Sequence, residues 1–471
     1  MLATSRKRSS CFGANCLTRS GKKSRRRRFI CLLSRGVNTI QVGVQVTPEV
    51  SLLDEPVHIQ MDGLPPDSPV TVTAETNNIL GLPCSARSSA TFIADSNGRV
   101  DLDTHQPVSG SYDCVDGMGL FWSMEMKDVQ YTRVYRNADL RYEPRETVVQ
   151  FYVQRQREII GTASCVRRLY DPHVQVLDIT EPDMVGKLFF SKGSAPAPGI
   201  IVLGGGEGGL ASPMTYAALL ASHGYPSLAL AYFRFENLPQ NLREIPLEYF
   251  EKAIQWLKGH AACNGQIVVY GRSKGAELSL LLGARYHEIS GVIASSPSSV
   301  VCVGDIQRDE SGRYLTYSSW SVDGHPIPCV PWSDGLCTEA EQCLNHRLRM
   351  DHVHRTALLQ AGDLKEYEIP VERIHGPVLL ISSGDDHWWP ATLHCERIKQ
   401  RLREHGTSYE CVHLDYPDAG HVIRFPGVPT TQLRMNGGTA KANHHASRES
   451  WGEILAFLGR LSSLGYAESF D

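Results

Sequence analysis

The sequence predicts a two-part fold: an all-β sandwich followed by a mostly parallel α/β sheet with helices on both sides. Three observations predict it. Short runs alternating apolar and polar residues, broken by Gly, Pro and Asn turns, fill the chain from about Gln41 to Arg168. Continuous apolar runs separated by helical periodicity follow from Ile200 onward. Between the two rhythms lies Ser191–Pro198, rich in Ala and Pro. The expected division is a basic leader at 1–36, a β domain at 37–175 and an α/β domain at 190–471.

The leader comes first. Residues 1–36 hold eleven Lys or Arg, and the first carboxylate of the chain is Glu49. An Arg- and Ser-rich, acid-free leader has the composition of a mitochondrial presequence. A nuclear-localisation-like patch at Lys22–Arg28 and a tail without an address in a cytoplasmic protein are the competing readings. The C-terminal residues Glu468-Ser469-Phe470-Asp471 form no peroxisomal tripeptide. Beyond the leader, 36 basic side chains face 51 acidic ones, which argues against nucleic acid as a partner. No apolar run approaches the ~18–20 residues needed to cross a bilayer, so no integral membrane association is expected. Thirteen cysteines, an odd number without a Cys-x-x-Cys pair or metal-ligand spacing, read as reduced thiols, with Cys84–Cys114 the one bridge considered.

Within the β domain, Val57–Met61 alternates and ends at Asp62-Gly63. Val70–Ala74 is β-branched, Ala90–Ala94 precedes the Asn97-Gly98 turn, and Thr147–Val153 alternates again. Nothing in this half has the pattern of a reactive constellation. Its expected role is to pack against or shape a catalytic neighbour.

In the α/β domain, strands are expected at Ile200–Leu203, Leu228–Ala231, Ile267–Tyr270, Gly291–Ala294, Val378–Ser382 and Tyr409–Leu414. Helices are expected at about Met214–Ser222, along Leu247, Phe250, Ile254 and Leu257, at Leu393–Glu404, and at about Ser447–Leu458. The turn-rich segment from about Val300 to Leu359 interrupts this rhythm as an excursion over the active-site face.

The chemistry is expected where strands run into loops. Gly271-Arg272-Ser273-Lys274-Gly275 follows one strand and opens a helix. A Gly-x-Ser-x-Gly turn in that context holds a serine in a strained conformation for nucleophilic attack. Its hydroxyl needs a base, and the base an orienting carboxylate, following in the order acid, then histidine. Ser383-Gly384-Asp385-Asp386-His387 and Asp415-Tyr416-Pro417-Asp418-Ala419-Gly420-His421 stand at the ends of the two later strands. By position His421 is the base, His413 lies inside a strand, and His387 caps the acid's loop. The acid is Asp386 or Asp385. An oxyanion hole would take one backbone N–H from Lys274 and another from Gly205, Gly206 or Glu207, in the glycine run Gly204–Gly209. That run lacks the context of a dinucleotide or phosphate loop, so no cofactor is expected.

Together these segments resemble the acyl-CoA thioesterase family that also contains bile acid-CoA:amino acid N-acyltransferase. The resemblance rests on Leu53–Val57, Met118–Met124, Ala229–Phe233, Leu247–Ala253, Ser273-Lys274-Gly275, Gly384–His387 and Gly420-His421. It implies an immunoglobulin-like N-terminal domain, an α/β-hydrolase C-terminal domain, and catalysis by Ser273, Asp386 and His421. The family pattern favours Asp386 over Asp385, leaving the neighbour to cap the next helix. The implied substrate is a thioester of coenzyme A with a fatty or bile acid; oligomeric state stays open. In the family's amino-acid transferases a cysteine replaces the serine, so Ser273 favours hydrolysis over transfer to glycine or taurine. An ester or lactone hydrolase of the same fold is the further alternative. Arg272 departs from the family, whose animal thioesterases carry an apolar residue there; the glycine run and the 300–359 excursion also depart.

Overall fold

A computed structural model describes residues 42–80, 82–126, 146–179, 181, 183–431 and 436–467. The basic leader, and with it the presequence reading, lies outside the described residues.

The alternating segments of the first half form two sheets. Gly43–Thr47, His58–Asp62 and Val100–Asp101 make a small antiparallel sheet. A seven-stranded sheet is built around the neighbours Glu158–Arg168, Glu146–Arg155, Pro69–Ile79 and Leu82–Ile93. Period-two alternation sends Val149, Phe151 and Val153 inward, opposite Val72 and Ala74 of the paired strand. With Ile59 and Met61 of the small sheet they form one apolar core. The guanidinium of the buried Arg167 donates to Ser51 Oγ and to the carbonyls of Leu53 and Glu55, all at 2.6 Å. These bonds tie the strand at Glu158–Arg168 to the loop leading into the small sheet.

The second half carries an eight-stranded sheet. Its order is Val174–Asp178, Val185–Ser191, Ser227–Ala231, Ala197–Leu203, Cys263–Arg272, Ile289–Ser295, Val378–Ser383 and Cys411–Tyr416. The second strand pairs antiparallel with both of its neighbours, and the remaining pairings are parallel. Strands buried on both faces must be apolar at consecutive positions, and alternate residues do serve opposite faces. Ile200, Val202, Val268 and Tyr270 pack with helices Ala211–Ser222 and Ala440–Ala467. Ile201, Leu203, Ile267 and Val269 pack with helices Leu247–Lys258, Lys274–Arg285 and Ala391–Glu404.

The first of these faces is continuous with the core of the β region. Buried polar contacts cross the same boundary. Asp54 Oδ2 accepts from His223 Nε2 at 2.5 Å and from Trp451 Nε1 at 2.7 Å. Thr431 Oγ1 donates to the Met124 carbonyl at 2.7 Å, and the His444 ring stacks on Trp122 at 5.3 Å.

One expectation changes. The closing helix begins at Ala440 and not near Ser447, because its first turns bury polar Asn443, His444 and Ser447, which carry no apolar periodicity. The excursion is ordered: it holds a hairpin of Val303–Arg308 with Tyr314–Ser318, and helices Asp334–His346 and Asp351–Ala361. Cys84 and Cys114 are both free.

Candidate active site

Parallel strands deliver their following loops to one edge of a sheet, and ligands of such sheets bind there. At that edge the strand Cys263–Arg272 stops and Ser273 turns the chain into the helix Lys274–Arg285. Ser273 has φ +54° and ψ −120°, a sparsely populated conformation that costs a non-Gly residue about 1–3 kcal/mol. Its N–H donates to the Ser295 carbonyl at 2.8 Å, fixing the turn to the neighbouring strand. The flanking glycines are required by close approach. A Cβ on Gly271 would overlap the Gly275 carbonyl, and one on Gly275 would overlap the carbonyls of Leu203 and Gly204.

The last two strands of the sheet, Val378–Ser383 and Cys411–Tyr416, bring the other partners. His421 Nε2 lies 2.9 Å from Ser273 Oγ, and His421 Nδ1 lies 2.7 Å from Asp386 Oδ2. The other Asp386 oxygen accepts the backbone N–H groups of Trp388 at 2.8 Å and Trp389 at 3.2 Å. The carboxylate is thus held in one orientation by its own loop. His421 is fixed through its backbone, donating to the Asn436 carbonyl at 2.6 Å and accepting from Ser296 Oγ at 3.1 Å. Trp388 and Trp389 stand against its ring, with centroids at 6.1 and 5.9 Å. Asp386 and His421 are both buried.

The neighbouring candidates go elsewhere. Asp385 does not cap the next helix, whose N-cap is Pro390. Its Oδ2 accepts the Gly438 N–H at 2.8 Å and its Oδ1 pairs with Arg349 at 3.4 Å. Several residues separate Asp385 from the helix start, so its carboxylate serves the loop that carries His421 instead. His387 Nε2 contacts Asp385 Oδ1 at 3.2 Å, and His413, within its strand, contacts Ser382 Oγ at 2.8 Å.

The glycine run passes beside the serine. A Cβ on Gly205 would approach Ser273 Cβ to 3.1 Å and the Arg272 carbonyl to 3.2 Å, while Gly206 has open space. Gly208 and Gly209 turn the run with φ +67° and +74°. Glu207 folds its carboxylate back toward Gly205. The N–H of Lys274 belongs to the first turn of a helix, where backbone donors have no intrahelical acceptor.

One group here was not read from the sequence. The Lys274 side chain is buried, and its Nζ donates to both Glu277 carboxylate oxygens at 3.1 and 3.2 Å, to the Cys302 carbonyl at 2.8 Å and to Ser319 Oγ at 2.7 Å. Glu277 also accepts from Trp320 Nε1 at 2.8 Å. Burial pushes the Glu277 carboxyl up, and the Lys274 charge opposes that push. An i, i+3 Lys–Glu pair usually marks a solvated helix face, so the spacing gave no sign of a network that pins the excursion to the helix Lys274–Arg285. No cluster of His, Cys, Asp and Glu among the described residues could hold a metal ion.

The chain matches two family descriptions: "Acyl-CoA thioester hydrolase/BAAT N-terminal region" over residues 54–181, and "BAAT / Acyl-CoA thioester hydrolase C terminal" over residues 245–462. It is 33% identical over 440 residues to "Acyl-coenzyme A amino acid N-acyltransferase 1" of Mus musculus, covering 88% of this chain and 96% of that one. To "Peroxisomal succinyl-coenzyme A thioesterase" of the same species it is 28% identical over 435 residues, covering 87% and 94%. To "Acyl-coenzyme A thioesterase 6", also of Mus musculus, it is 29% identical over 418 residues, covering 87% and 94%. Among solved structures, a putative dienelactone hydrolase from Klebsiella pneumoniae is similar with a TM-score of 0.38 and 13% identity, over 61% of this chain and 98% of that one.

Proposed function

The chain belongs to the acyl-CoA thioester hydrolase/BAAT family, and from that membership we propose that it hydrolyses acyl-CoA thioesters through an acyl-serine intermediate on Ser273. The observation carrying the proposal is the hydrogen-bonded series Ser273 Oγ–His421–Asp386, at 2.9 and 2.7 Å, with the serine on a strained turn. His421 takes the hydroxyl proton as Ser273 attacks the thioester carbonyl. The carbonyl oxygen becomes an oxyanion beside the backbone N–H groups of Lys274 and the Gly205–Glu207 loop. Collapse breaks the C–S bond as His421 returns its proton to the departing sulfur, and coenzyme A leaves as the thiol, a good leaving group because thiols ionise near pKa ~8.5. His421 then deprotonates a water that attacks the acyl-serine, and the carboxylic acid leaves while Ser273 recovers its proton.

In this reading residues 37–175 are an immunoglobulin-like domain and 190–471 an α/β-hydrolase domain. Transfer of the acyl group to an amino acid is the second reading, favoured by the 33% identity to an N-acyltransferase. The serine at position 273 favours hydrolysis, on the family's cysteine-for-serine distinction. One relative has a peroxisomal name. A mitochondrial or cytoplasmic address for this chain remains an expectation from its leader alone.

Ser273→Ala is expected to lower turnover of an acyl-CoA by about 10⁴–10⁶-fold, measured by thiol release. Near wild-type hydrolysis by that variant would refute the assignment.

A further inference from the structure

Two cations flank Ser273, and only one is neutralised. Lys274 meets a carboxylate, a carbonyl and a hydroxyl. Arg272 meets no carboxylate among the described residues. Its Nη1 donates to Ser212 Oγ at 3.3 Å, its guanidinium lies 4.8 Å from the centre of the Tyr216 ring, and its Nε is buried without an acceptor. Glu207, the acid on the adjacent glycine run, forms no ion pair with it among the described residues. A buried or half-buried guanidinium ordinarily has a carboxylate, phosphate or set of carbonyls as partner.

Arg272 and Ser273 are both half-buried. Between Ile267 and Gly283 only Arg272 and Ser273 are not buried. Ser212, which anchors the guanidinium, begins the helix that follows the glycine run, and that run passes beside Ser273. A group bound to Arg272 is thus held by the residue next to the serine that the proposed reaction acylates. The phosphates of coenzyme A are a whole pantetheine arm away from the thioester carbonyl.

We propose that Arg272 is a specificity-determining residue that receives a small carboxylate beside Ser273, through a bidentate pair of the kind guanidinium geometry favours. The inference rests on the reaction proposed above. The carboxylate has two possible sources: the far end of a short dicarboxylic acyl chain, or an amino-acid acceptor.

The test compares wild-type protein with Arg272→Leu and Arg272→Lys, using succinyl-CoA and butyryl-CoA, which have equal carbon counts and differ in the terminal carboxylate. If the acyl chain supplies the anion, the ratio of kcat/KM for succinyl-CoA over butyryl-CoA falls at least tenfold in Arg272→Leu and partly recovers in Arg272→Lys. If the acceptor supplies it, butyryl-CoA with added glycine yields an amide, and the KM for glycine rises at least tenfold in Arg272→Leu. An unchanged ratio together with an unchanged glycine dependence overturns the proposal and leaves thioester hydrolysis standing.

Calorimetric binding of both thioesters, and of glycine, to Ser273→Ala with and without Arg272→Leu reads the arginine independently of turnover. Should wild-type protein hydrolyse neither these thioesters nor a long-chain acyl-CoA, the functional reading falls, and equal binding to the two Ser273→Ala proteins overturns the arginine assignment separately.

Discussion

Lys274 and Arg272 sit one residue to either side of the same serine, yet the fold treats them in opposite ways. Lys274 points into a closed polar network that joins the helix Lys274–Arg285 to Cys302, Ser319 and Trp320 of the excursion. Arg272 rests on a hydroxyl and an aromatic face with donor capacity left over. A charge buried with all its bonds made belongs to architecture. A charge with donors to spare beside that serine is available to a ligand.

Removing the closed cation should have the larger effect on folding. Lys274→Met leaves Glu277 buried and unpaired, and the expected loss is about 3–5 kcal/mol, measured by urea unfolding. Replacing both partners, as Lys274→Met with Glu277→Leu, should recover most of that loss, because a buried pair exchanged for apolar groups is often neutral. If the double variant is as unstable as the single one, the network stabilises through its bonds to Cys302 and Ser319 and not through the ion pair. On the open side, Arg272→Leu should change unfolding stability by no more than about 1 kcal/mol, the range of a weakly bonded side chain. A loss as large as that of Lys274→Met would erase the contrast between the two cations.

The smallest expected effect concerns a pair that is closed but titratable. The Asp54 hydrogen bond raises the His223 pKa above 6.5. A raised folded-state value means that the stabilisation is fully present below the unfolded pKa of 6.5 and is lost as pH rises through the folded value. Between pH 6 and 8 the melting temperature of the wild-type protein should therefore fall more steeply than that of His223→Gln. Parallel profiles would show that the pair contributes no pH-dependent stability.

The residues proposed to react were legible as candidates because each stands where a continuous apolar run breaks into small and polar residues. Gly271–Gly275, Gly384–His387 and Gly420-His421 all occupy such breaks. Steric demands written in glycine also survive in sequence, since Gly271 and Gly275 mark backbone approaches that no larger residue allows. What was not legible depends on partners distant along the chain. Asp385 looked like a helix cap, but its acceptor role is set by Gly438, in a loop that no local pattern connects to it. The first turns of the closing helix were missed because Asn443 and Ser447 are buried for polar reasons: Asn443 Oδ1 accepts the Gly420 N–H at 2.7 Å, and Ser447 Oγ accepts the Arg424 N–H at 3.1 Å. Lys274 and Glu277 showed the same ambiguity, since a buried pair and a solvated pair share one spacing.

Asp54 and Trp451 are 397 positions apart and 2.7 Å from each other. A ribosome adding ~5–20 residues per second needs roughly 20–80 s to reach the second after the first. Throughout that interval the nascent β region presents an unfinished acidic socket and the apolar surface around it to solvent. Completion of this protein is therefore timed by the emergence of its last helix, and a stall or truncation upstream of Trp451 should leave a chain that chaperones must shelter.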